Sequence, residues 1–455
     1  MPGHKLGKGI PADILQSIAS LDLTEIPGTD NLHLPGGVIK EAQELAAEAF
    51  GADKTFFLVN GSTCGIYAMI ACLCNPGDKL IIARDCHRSA INGMMLAKAE
   101  PVYIKPRYCN DFGISTVIEP ADVESLLKQH PDAKGVFITR PYYYGNCSDI
   151  EKIAQIAHSY GKALAVDEAH GAHLKFNKRL PACAMEAGAD ICVQSAHKTL
   201  PAFTQGAYLH VKSSGKIDLE RLKFYLGVYQ TSSPSYIILA MLDIAREIMR
   251  RDGARLLDEL LDNIEWFKTE AGAGGVLSLL PGESGETGRQ DETRIVANLK
   301  KLGITGYEAE RVLRDEWNIQ VEMSDIYNIV CIATIADRRA ELEKLRDGLA
   351  GLVRRFAGRQ PLKDICKSGW DIPERKMSLL QAMRCSGEWV GLDRAAGRIS
   401  RGTVVPYPPG IPVVCPGEII VEDIVHYVYN IIKEGGTVCG LNENLEINAV
   451  DWKAG

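Results

Sequence analysis

Short apolar runs that alternate with helical stretches place the strongest constraint on the fold of this chain. The runs at residues 55–59, 80–83, 136–138 and 164–166 are apolar almost throughout, which is typical of strands buried on both faces. The intervening segments carry apolar residues at helical spacing, as in 38–50. Since helices that connect parallel strands cover both faces of a sheet, the pattern predicts an α/β fold with a mainly parallel sheet.

The pattern changes after about residue 215. We predict two successive long helices at 233–251 and 254–271, then a polar, glycine-rich loop at 282–288. A smaller α/β unit follows, and a charged helix is expected at 338–355. We therefore predict three parts: an N-terminal arm over 1–37, a large domain over 38–290 and a small C-terminal α/β domain over 291–455.

Composition excludes several classes of protein. The 455 residues carry a formal net charge of -7, which gives no electrostatic reason to expect a nucleic-acid partner. No uncharged apolar stretch approaches the ~20 residues that span a membrane, and no signal peptide is visible. The 13 cysteines are scattered without CxxC spacing, so we expect reduced thiols, no metal site and a cytoplasmic enzyme.

Lys198 and Asp167 indicate a cofactor. Lys198 follows the apolar run 191–193, and Asp167 ends the run 163–166. A lysine amine can form a Schiff base with the aldehyde of pyridoxal 5'-phosphate, and an aspartate can keep its pyridine nitrogen protonated. Taken alone, Lys198 also fits an ordinary surface lysine, and Asp167 also fits an ordinary acid at the end of a strand. Together they predict catalytic roles in a pyridoxal phosphate enzyme.

A candidate phosphate site lies at 60–63, between a predicted strand and a predicted helix. The glycine in Asn-Gly-Ser-Thr allows close approach of a ligand, and the first N–H groups of a helix favour an anion. Ser62 and Thr63 add hydroxyl donors. The alternative is an ordinary helix N-cap, since Ser and Thr are the usual capping residues. Because ligands gather at the carboxyl ends of parallel strands, this segment is expected to face Lys198 and Asp167.

Further side chains near these strand ends are expected to surround the cofactor. His87 is placed to stack on the pyridine ring, although a histidine at a helix N-terminus is also common as a structural residue. Ala169 is small enough to pack under the ring, and His170 is expected to approach the ring or the substrate. Ser195 and His197 precede Lys198 and are candidate phosphate donors.

At these residues the chain resembles the short bacterial form of the Orn/Lys/Arg decarboxylases, which are fold type I pyridoxal phosphate enzymes. The matching stretches run in family order along nearly the whole chain: Pro2–Lys5, Thr24–Asp30, Asn60–Thr63, Asp85–Ser89, Asp167–Gly171, Ser195–Leu200, Pro406–Pro412 and Pro416–Glu418. The resemblance implies an aspartate-aminotransferase-like large domain, with Lys198 as the Schiff-base lysine, Asp167 as the pyridinium partner and His87 as the stacking residue. It also implies that Ser62, Thr63, Ser195 and His197 hold the phosphate.

The resemblance further implies a homodimer or larger homo-oligomer. The stretch Thr231–Pro234 resembles one that reaches the cofactor of the neighbouring subunit, which makes Ser233 a cofactor-binding candidate. Two departures from the family are visible. The receiver-like N-terminal domain of the long members is absent, which puts assemblies built on it in doubt. The Pro2–Lys5 motif lies at the very start of the given sequence, so the question whether a native segment precedes Met1 stays open.

The expected reaction is decarboxylation of a basic amino acid, first of all L-arginine to agmatine and CO2, with lysine and ornithine as alternatives. A basic substrate requires an acidic group at the end of its pocket. Glu25 and Asp30 are candidates, although both are also ordinary loop acids or turn formers. An aminotransferase or C–S lyase, and a non-catalytic homologue, remain as further alternatives at this stage.

Overall fold

The computed structural model describes residues 1–272, 277–281, 283–284, 288–363 and 371–451. A seven-stranded sheet forms its centre, with strands β1 to β7 at Lys54–Leu58, Lys79–Ala83, Glu100–Ile104, Gly135–Thr139, Ala163–Asp167, Ile191–Ser195 and Ala207–Val211. The spatial order is β1-β7-β6-β5-β4-β2-β3. Only β7 runs in the opposite direction to the other six strands, so the predicted mainly parallel sheet is confirmed.

Helices cover both faces of this sheet, because its strands are apolar on both sides. Along β2, Leu80 and Ile82 pack into one apolar cluster while Ile81 and Ala83 pack into another, as the alternation of side chains in a strand requires. The helices are α1 to α13 in chain order: Ala12–Gln16, Val38–Phe50, Gly61–Leu73, Arg88–Ala97, Pro120–Gln129, Ile150–Ser159, Ala196–Thr199, Leu219–Tyr229, Tyr236–Gly272, Gly306–Trp317, Arg339–Phe356, Leu379–Arg384 and Glu422–Lys433.

The prediction of two successive long helices after residue 233 was wrong. A single 37-residue helix, α9, runs from Tyr236 to Gly272. Gly253 lies inside it, where a Cβ would stand 3.1 Å from Met249 Cε and 3.2 Å from Phe176 Cβ. Glycine at this position therefore permits close packing within a continuous helix and does not mark a helix end.

The prediction of a polar, glycine-rich loop at 282–288 was wrong for the residues described there, which lie in strands. The short strand Glu283–Ser284 pairs with Gly288–Gln290, which in turn pairs with Asn146–Cys147 from the large domain. Residues 282 and 285–287 lie outside the described residues. The pairing with a strand more than a hundred residues away was not visible in local sequence.

A second sheet and a C-terminal segment complete the fold. The four-stranded sheet has strands β8 to β11 at Ser278–Leu279, Arg294–Asn298, Met323–Ser324 and Asn328–Ile332, all antiparallel, in the order β8-β9-β11-β10. Helices α10 and α11 belong to this unit and contact each other. Residues 371–451 form the C-terminal segment, whose longest strands, Gly387–Gly391 and Glu446–Val450, pair with each other.

Other short elements complete the description. Two-residue strands lie at Tyr108–Cys109, Ile114–Ser115, Val405–Pro406 and Val438–Cys439, and 3-10 turns lie at Lys5–Gly7, Ile18–Leu21, Leu174–Phe176, Lys300–Leu302 and Leu392–Arg394. In the described part of the chain no helix is both long and apolar enough to cross a membrane. The described cysteines form no disulfide, and these residues contain no cluster of His, Cys, Asp or Glu that would hold a metal ion.

The first residues of the predicted N-terminal arm pack on their own chain. The Gly3 N–H donates to the His197 carbonyl oxygen at 3.3 Å, and a Cβ on Gly3 would lie only 2.0 Å from the Leu200 carbonyl oxygen. Lys5 forms an ion pair with Asp337 at 3.1 Å. The beginning of the arm therefore closes over the helix that carries Lys198, and only glycine fits at position 3.

The C-terminal segment is tied to the large domain by a buried ion pair. Arg84, which follows β2, places Nη2 2.8 Å from Glu418 Oε2, and both side chains are almost fully buried. The same guanidinium donates to the carbonyl oxygens of Pro412 and Val413. The segment also packs at His87: the Gly410 carbonyl oxygen accepts the N–H of the next residue, Arg88, at 3.0 Å, and a Cβ on Gly410 would lie 3.0 Å from His87 Nε2.

We predict that Glu418→Gln destabilises the protein by about 3–5 kcal/mol, because it leaves the Arg84 guanidinium buried without its counter-charge. Urea denaturation followed by circular dichroism measures the change. The control is Glu434→Gln, since Glu434 is exposed at the end of α13, where a substitution is expected to cost less than about 0.5 kcal/mol. Equal stability of the two variants would contradict the structural role of this pair.

Candidate active site

The predicted site residues lie beyond the carboxyl ends of parallel strands. Asp167 is the last residue of β5, and Lys198 comes three residues after the end of β6. Asn60 follows β1, and His87 follows β2. Since these four strands run in the same direction in one sheet, their ends meet at a single edge. The prediction that these segments share one edge is confirmed by the topology.

Lys198 faces His170, and His170 in turn faces an arginine. Lys198 Nζ lies 3.0 Å from His170 Nε2. Arg294 Nη2 donates to His170 Nδ1 at 3.1 Å and to the His170 carbonyl oxygen at 3.0 Å. Because an arginine can only donate, Nδ1 must accept, and a neutral His170 therefore carries its proton on Nε2. His170 is thus held with that proton directed at the lysine amine.

Burial and neighbouring charges shift the pKa values of these groups. Burial lowers the pKa of the Lys198 amine, and Arg294 lowers it further, while Asp167 and Glu322 act in the opposite direction. Burial, Lys198 and Arg294 together hold the pKa of His170 well below its ordinary value. His170 is therefore neutral at physiological pH, and the neutral, nucleophilic form of Lys198 is more accessible than in an exposed lysine.

Asp167 is a buried carboxylate with few partners. Its Oδ1 accepts the Ala169 N–H at 3.1 Å. Burial raises the pKa of Asp167, and the positive charge of Lys198 opposes that effect. The neighbouring Glu168 is engaged elsewhere, with Gln194 Nε2 at 2.7 Å and the Ala184 N–H at 2.9 Å. Of these two acids, Asp167 is therefore the one whose carboxylate can still bind a cationic group of a ligand.

The residues predicted to hold a phosphate meet at the start of α3. Ser195 Oγ donates to Ser62 Oγ at 2.9 Å. Gly61 has φ +74, and a Cβ there would have no atom within 4 Å, so the space beside this N-terminus is open. Thr63 is partly exposed on the first turn of the same helix. A helix N-terminus with two hydroxyls and open space fits an anionic group.

His87 and His197 occupy fixed positions near this edge. His87 caps α4, accepting the Ser89 N–H at 3.2 Å, and burial lowers its pKa to about 3. His197 Nδ1 lies 3.0 Å from the Gly206 carbonyl oxygen, and burial lowers its pKa to about 4. Both rings are therefore neutral near pH 7, which suits a ring that stacks on an aromatic cofactor or donates to a phosphate.

Ser233 lies at the exposed rim of the phosphate region of its own chain. Its N–H and hydroxyl both contact Thr231 Oγ1, at 3.2 and 3.1 Å. The Thr231 N–H donates to Asn60 Oδ1 at 3.2 Å, which connects this stretch to the residue before α3. Within the described part of the chain Ser233 forms no hydrogen bond with another predicted site residue, and its cofactor role stays a prediction.

The two acids predicted to bind the substrate are placed differently from the rest. The Asp30 carboxylate accepts backbone N–H groups around the start of α2, including those of Gly36, Gly37 and Ile39. Although burial acts the other way, these bonds lower the pKa of Asp30 to about 2. Glu25 is exposed and has one weak contact, with Asn31 Nδ2 at 3.5 Å. Neither carboxylate contacts Lys198, Asp167 or His170.

Three further residues of this site were not predicted from the sequence. Arg294 is 1% exposed, and its Nε and Nη1 have no hydrogen-bond partner among the described residues. Glu322 is exposed, yet it influences the pKa of both Lys198 and Arg294. Tyr143 packs edge-on against His170 at a centroid distance of 5.0 Å. The available signal was an arginine at the start of the strand Arg294–Asn298, because an arginine at a buried position needs a partner.

The arrangement fits pyridoxal phosphate. It offers a lysine amine of lowered pKa for the aldehyde, a buried carboxylate for the pyridine nitrogen and an open helix N-terminus with two hydroxyls for the phosphate. A neutral histidine, His87, is available for the ring face. The four features lie at one sheet edge, which is where a single cofactor would need them.

Comparison with known proteins gives a consistent result. The family models "Orn/Lys/Arg decarboxylase, major domain" and "Orn/Lys/Arg decarboxylase, C-terminal domain" match residues 1–277 and 373–447. A Bacillus subtilis arginine decarboxylase is 37% identical over 452 residues, covering 97% of this chain and 91% of the relative.

Solved structures share the fold at lower identity. The crystal structure of the Francisella novicida lysine decarboxylase LdcF has TM-score 0.80 and 19% identity, covering 99% of this chain and 78% of that one. An alanine–glyoxylate aminotransferase from Nostoc sp. has TM-score 0.61 and 18% identity, covering 76% and 92%. The predicted fold type I architecture is confirmed.

We predict opposite shifts in the pKa of Lys198 from two substitutions. Asp167→Asn removes a negative charge and lowers this pKa, whereas Arg294→Gln removes a positive charge and raises it. The pH dependence of Lys198 labelling by an amine-reactive reagent, in cofactor-free protein and read by mass spectrometry, measures both. Arg250→Gln, at an exposed position on α9, is expected to change nothing. Shifts of the same sign in the first two variants would refute the electrostatic description.

Proposed function

The chain belongs to the Orn/Lys/Arg decarboxylase family, and we propose that its substrate is L-arginine, which it converts to agmatine and CO2. Family membership makes it a pyridoxal-phosphate-dependent decarboxylase of basic amino acids. The observation that carries the choice of arginine is the high coverage and identity shared with the arginine decarboxylase of Bacillus subtilis. Lysine and ornithine are the next candidates.

In this proposal Lys198 binds the cofactor covalently and Asp167 holds a proton at its pyridine nitrogen. When bound, the cofactor supplies an electron sink for the electron pair left by the departing carboxylate. The sink works only while the pyridine nitrogen is protonated, so an anion must stay beside it. The burial of Asp167 supports this role, since a low-dielectric site strengthens its attraction for a proton-bearing nitrogen.

Ser62, Thr63, Ser195 and His197 bind the phosphate in this proposal, with Ser233 at its rim. The support is the contact between Ser62 and Ser195 at the open N-terminus of α3. His87 and Ala169 would pack against the cofactor ring and so orient it.

His170 is proposed to hold the proton that the product needs. The amine product takes up one proton at Cα in place of the carboxylate, and the group that donates this proton would have to lie within reach of that atom. The hydrogen bond from Arg294 supports this role, because it keeps the His170 proton on Nε2, the atom that faces Lys198. Lys198 and His170 are therefore the two candidate donors.

Glu322 is proposed to bind the cationic end of the substrate. It is exposed at this site, whereas the Asp30 carboxylate is already engaged at the start of α2. Its effect on the pKa of Lys198 supports a position within electrostatic reach of the reacting amine. Glu25 remains a second candidate, since its carboxylate is nearly free of contacts.

We predict that the purified holoenzyme releases agmatine and CO2 from arginine with a kcat/KM roughly tenfold or more above that for lysine or ornithine. Lys198→Ala is the inactive control.

In the same assay Glu322→Gln lowers kcat/KM for arginine by roughly 10–100-fold, as expected for loss of a charge-assisted hydrogen bond. If the wild-type enzyme prefers lysine or ornithine, that amino acid replaces arginine as the proposed substrate. Transamination without CO2 release would overturn the proposed decarboxylation.

The proposed working unit is a cytoplasmic homodimer in polyamine biosynthesis, with active sites built from two chains. Large apolar side chains are exposed beside the phosphate region: Leu34 is 83% exposed, Phe224 65% and Val228 56%. His33 Nε2 contacts the Thr231 carbonyl oxygen at 2.8 Å, which brings this apolar surface next to Ser233. A second copy of the chain is the proposed cover, and a two-fold interface would place Ser233 near the neighbouring site.

Mixing two inactive variants tests the shared site. Lys198→Ala chains and Ser233→Asp chains are each expected to be inactive, the second because its carboxylate repels the phosphate. After subunit exchange, a shared site predicts recovery of about a quarter of wild-type activity, since half of the dimers are hybrids with one intact site. Exchange demonstrated by mass spectrometry without any recovered activity would place Ser233 in its own chain's site.

A further inference from the structure

A strap, which we define as Pro2–Gly9 of the N-terminal arm, lies across the short helix α7 that carries Lys198. The Gly3 N–H donates to the His197 carbonyl oxygen at 3.3 Å. Helix α7 has only four residues, and the last carbonyl groups of a helix have no partners within it. A helix of one turn is marginal without outside contacts. Helix α7 therefore depends on the groups that pack on it, and the strap supplies one of them.

The strap is also anchored to the unit that contains the second sheet. Lys5 Nζ donates to the Ile332 carbonyl oxygen at 2.8 Å and forms an ion pair with Asp337 at 3.1 Å. The Thr334 hydroxyl donates to the Pro2 carbonyl oxygen at 3.1 Å. The strap thus binds α7 of the large domain and the end of β11 at the same time.

Backbone conformation and packing indicate that the strap is firmly held. Lys5 and Leu6 have φ values of 45° and 57°, which residues other than glycine rarely adopt and which persist only where the surrounding structure holds them. A Cβ on Gly9 would lie 3.2 Å from Pro201 Cβ on one side and 3.2 Å from Ala336 Cβ on the other. The strap therefore fills the junction between the two units.

The anchor of Lys5 lies directly opposite Arg294. Ile332 of β11 and Arg294 of β9 are paired residues in the second sheet. Arg294 Nη2 donates to His170 Nδ1 at 3.1 Å, and His170 Nε2 lies 3.0 Å from Lys198 Nζ. The second sheet therefore reaches Lys198 by two routes, one through Arg294 and His170 and one through the strap and α7. Two separate routes fix the position of a side chain better than one, because a single contact leaves rotation about it free.

We propose that the strap is a positioning element for Lys198, in which Gly3 and Lys5 fix helix α7 relative to the second sheet. Loss of the Lys5 anchor would free the strap from β11, and α7 would lose a fixed contact. The Lys198 amine would then be held less firmly against His170. Gly3 and Lys5 act through α7 and are positioning residues. The proposal goes beyond the decarboxylase activity and does not depend on which basic amino acid is the substrate.

Hydrogen–deuterium exchange of the full-length holoenzyme tests the proposal. Lys5→Met keeps a long side chain but removes its charge and its hydrogen-bond donors. We expect this variant to raise the exchange rate of peptides covering 196–202 at least about tenfold, because a hydrogen bond from a charged donor no longer opposes local opening. Strands β4 and β5 are expected to exchange as in the wild type. Lys5→Arg keeps the charge and the donors and is expected to restore most of the protection.

Lys8→Met is the matched control within the same segment. Lys8 Nζ pairs with Glu341, but the Lys8 side chain is 60% exposed, and such surface pairs contribute little. We therefore expect Lys8→Met to leave the exchange of 196–202 unchanged. Circular dichroism verifies that each variant folds. If Lys5→Met does not fold, Thr334→Val decides, because it removes the hydroxyl that binds the Pro2 carbonyl oxygen.

The pKa of Lys198 provides a second readout. Burial lowers this pKa, so a looser α7 that admits water would raise it, although Asp167, Glu322 and Arg294 are unchanged. In the cofactor-free full-length protein, labelling of Lys198 by an amine-reactive reagent is therefore expected to shift to higher pH in Lys5→Met and to stay unshifted in Lys8→Met.

Two outcomes overturn the proposal. One is exchange of 196–202 and labelling of Lys198 that equal the wild type in the folded Lys5→Met or Thr334→Val variant. The other is a rise in exchange that is the same in 196–202 and in β4 and β5, because that result shows a general loss of stability. Neither measurement uses a substrate, so failure of this proposal is distinguishable from failure of the proposed arginine decarboxylation.

Discussion

The organising constraint of this structure is a set of ionisable groups that are buried together without forming a direct ion pair. Asp167, Lys198, His170 and Arg294 lie at one sheet edge, where burial shifts each pKa toward the neutral form. Such a cluster costs stability unless the surrounding fold holds it rigidly or a ligand supplies the missing partners. The covering arm at Gly3 and the fixed rings of His87 and His197 provide the rigid part. A cofactor with an aldehyde, a basic nitrogen and a phosphate supplies the rest.

Much of the fold could be predicted from local sequence patterns. The short apolar runs predicted the strands β1, β2, β4, β5 and β6, because a parallel strand that is buried on both faces is apolar along most of its length. The same argument located Lys198 and Asp167, since polar residues just beyond buried strands must lie at the sheet edge. The helix Val38–Phe50 was predicted with its observed bounds, because its apolar spacing is regular and Gly51 ends it in the left-handed region, where glycine is favoured.

Features that depend on distant contacts were not predictable in this way. Whether Gly253 ends a helix or lies within one depends on Phe176, a residue far away in sequence. Asp30 looked like a free acid, but its carboxylate caps a helix that begins eight residues later. Arg294 reaches His170 across more than a hundred residues. For Gly253 and Arg294 the deciding partner lies far away in the sequence, and for Asp30 the deciding feature is the fold of the loop that brings its carboxylate to the start of α2.

The attachment of the C-terminal segment has a consequence for how such proteins can be recombined. Gly410 lies against the His87 ring, where a Cβ would be 3.0 Å from two ring atoms, and Arg84 is anchored to Glu418. The segment is therefore not an interchangeable module, although it has apolar clusters of its own. A chimera that borrows this segment from a relative must import matching residues around positions 84 and 87, or the two surfaces that meet there will not fit.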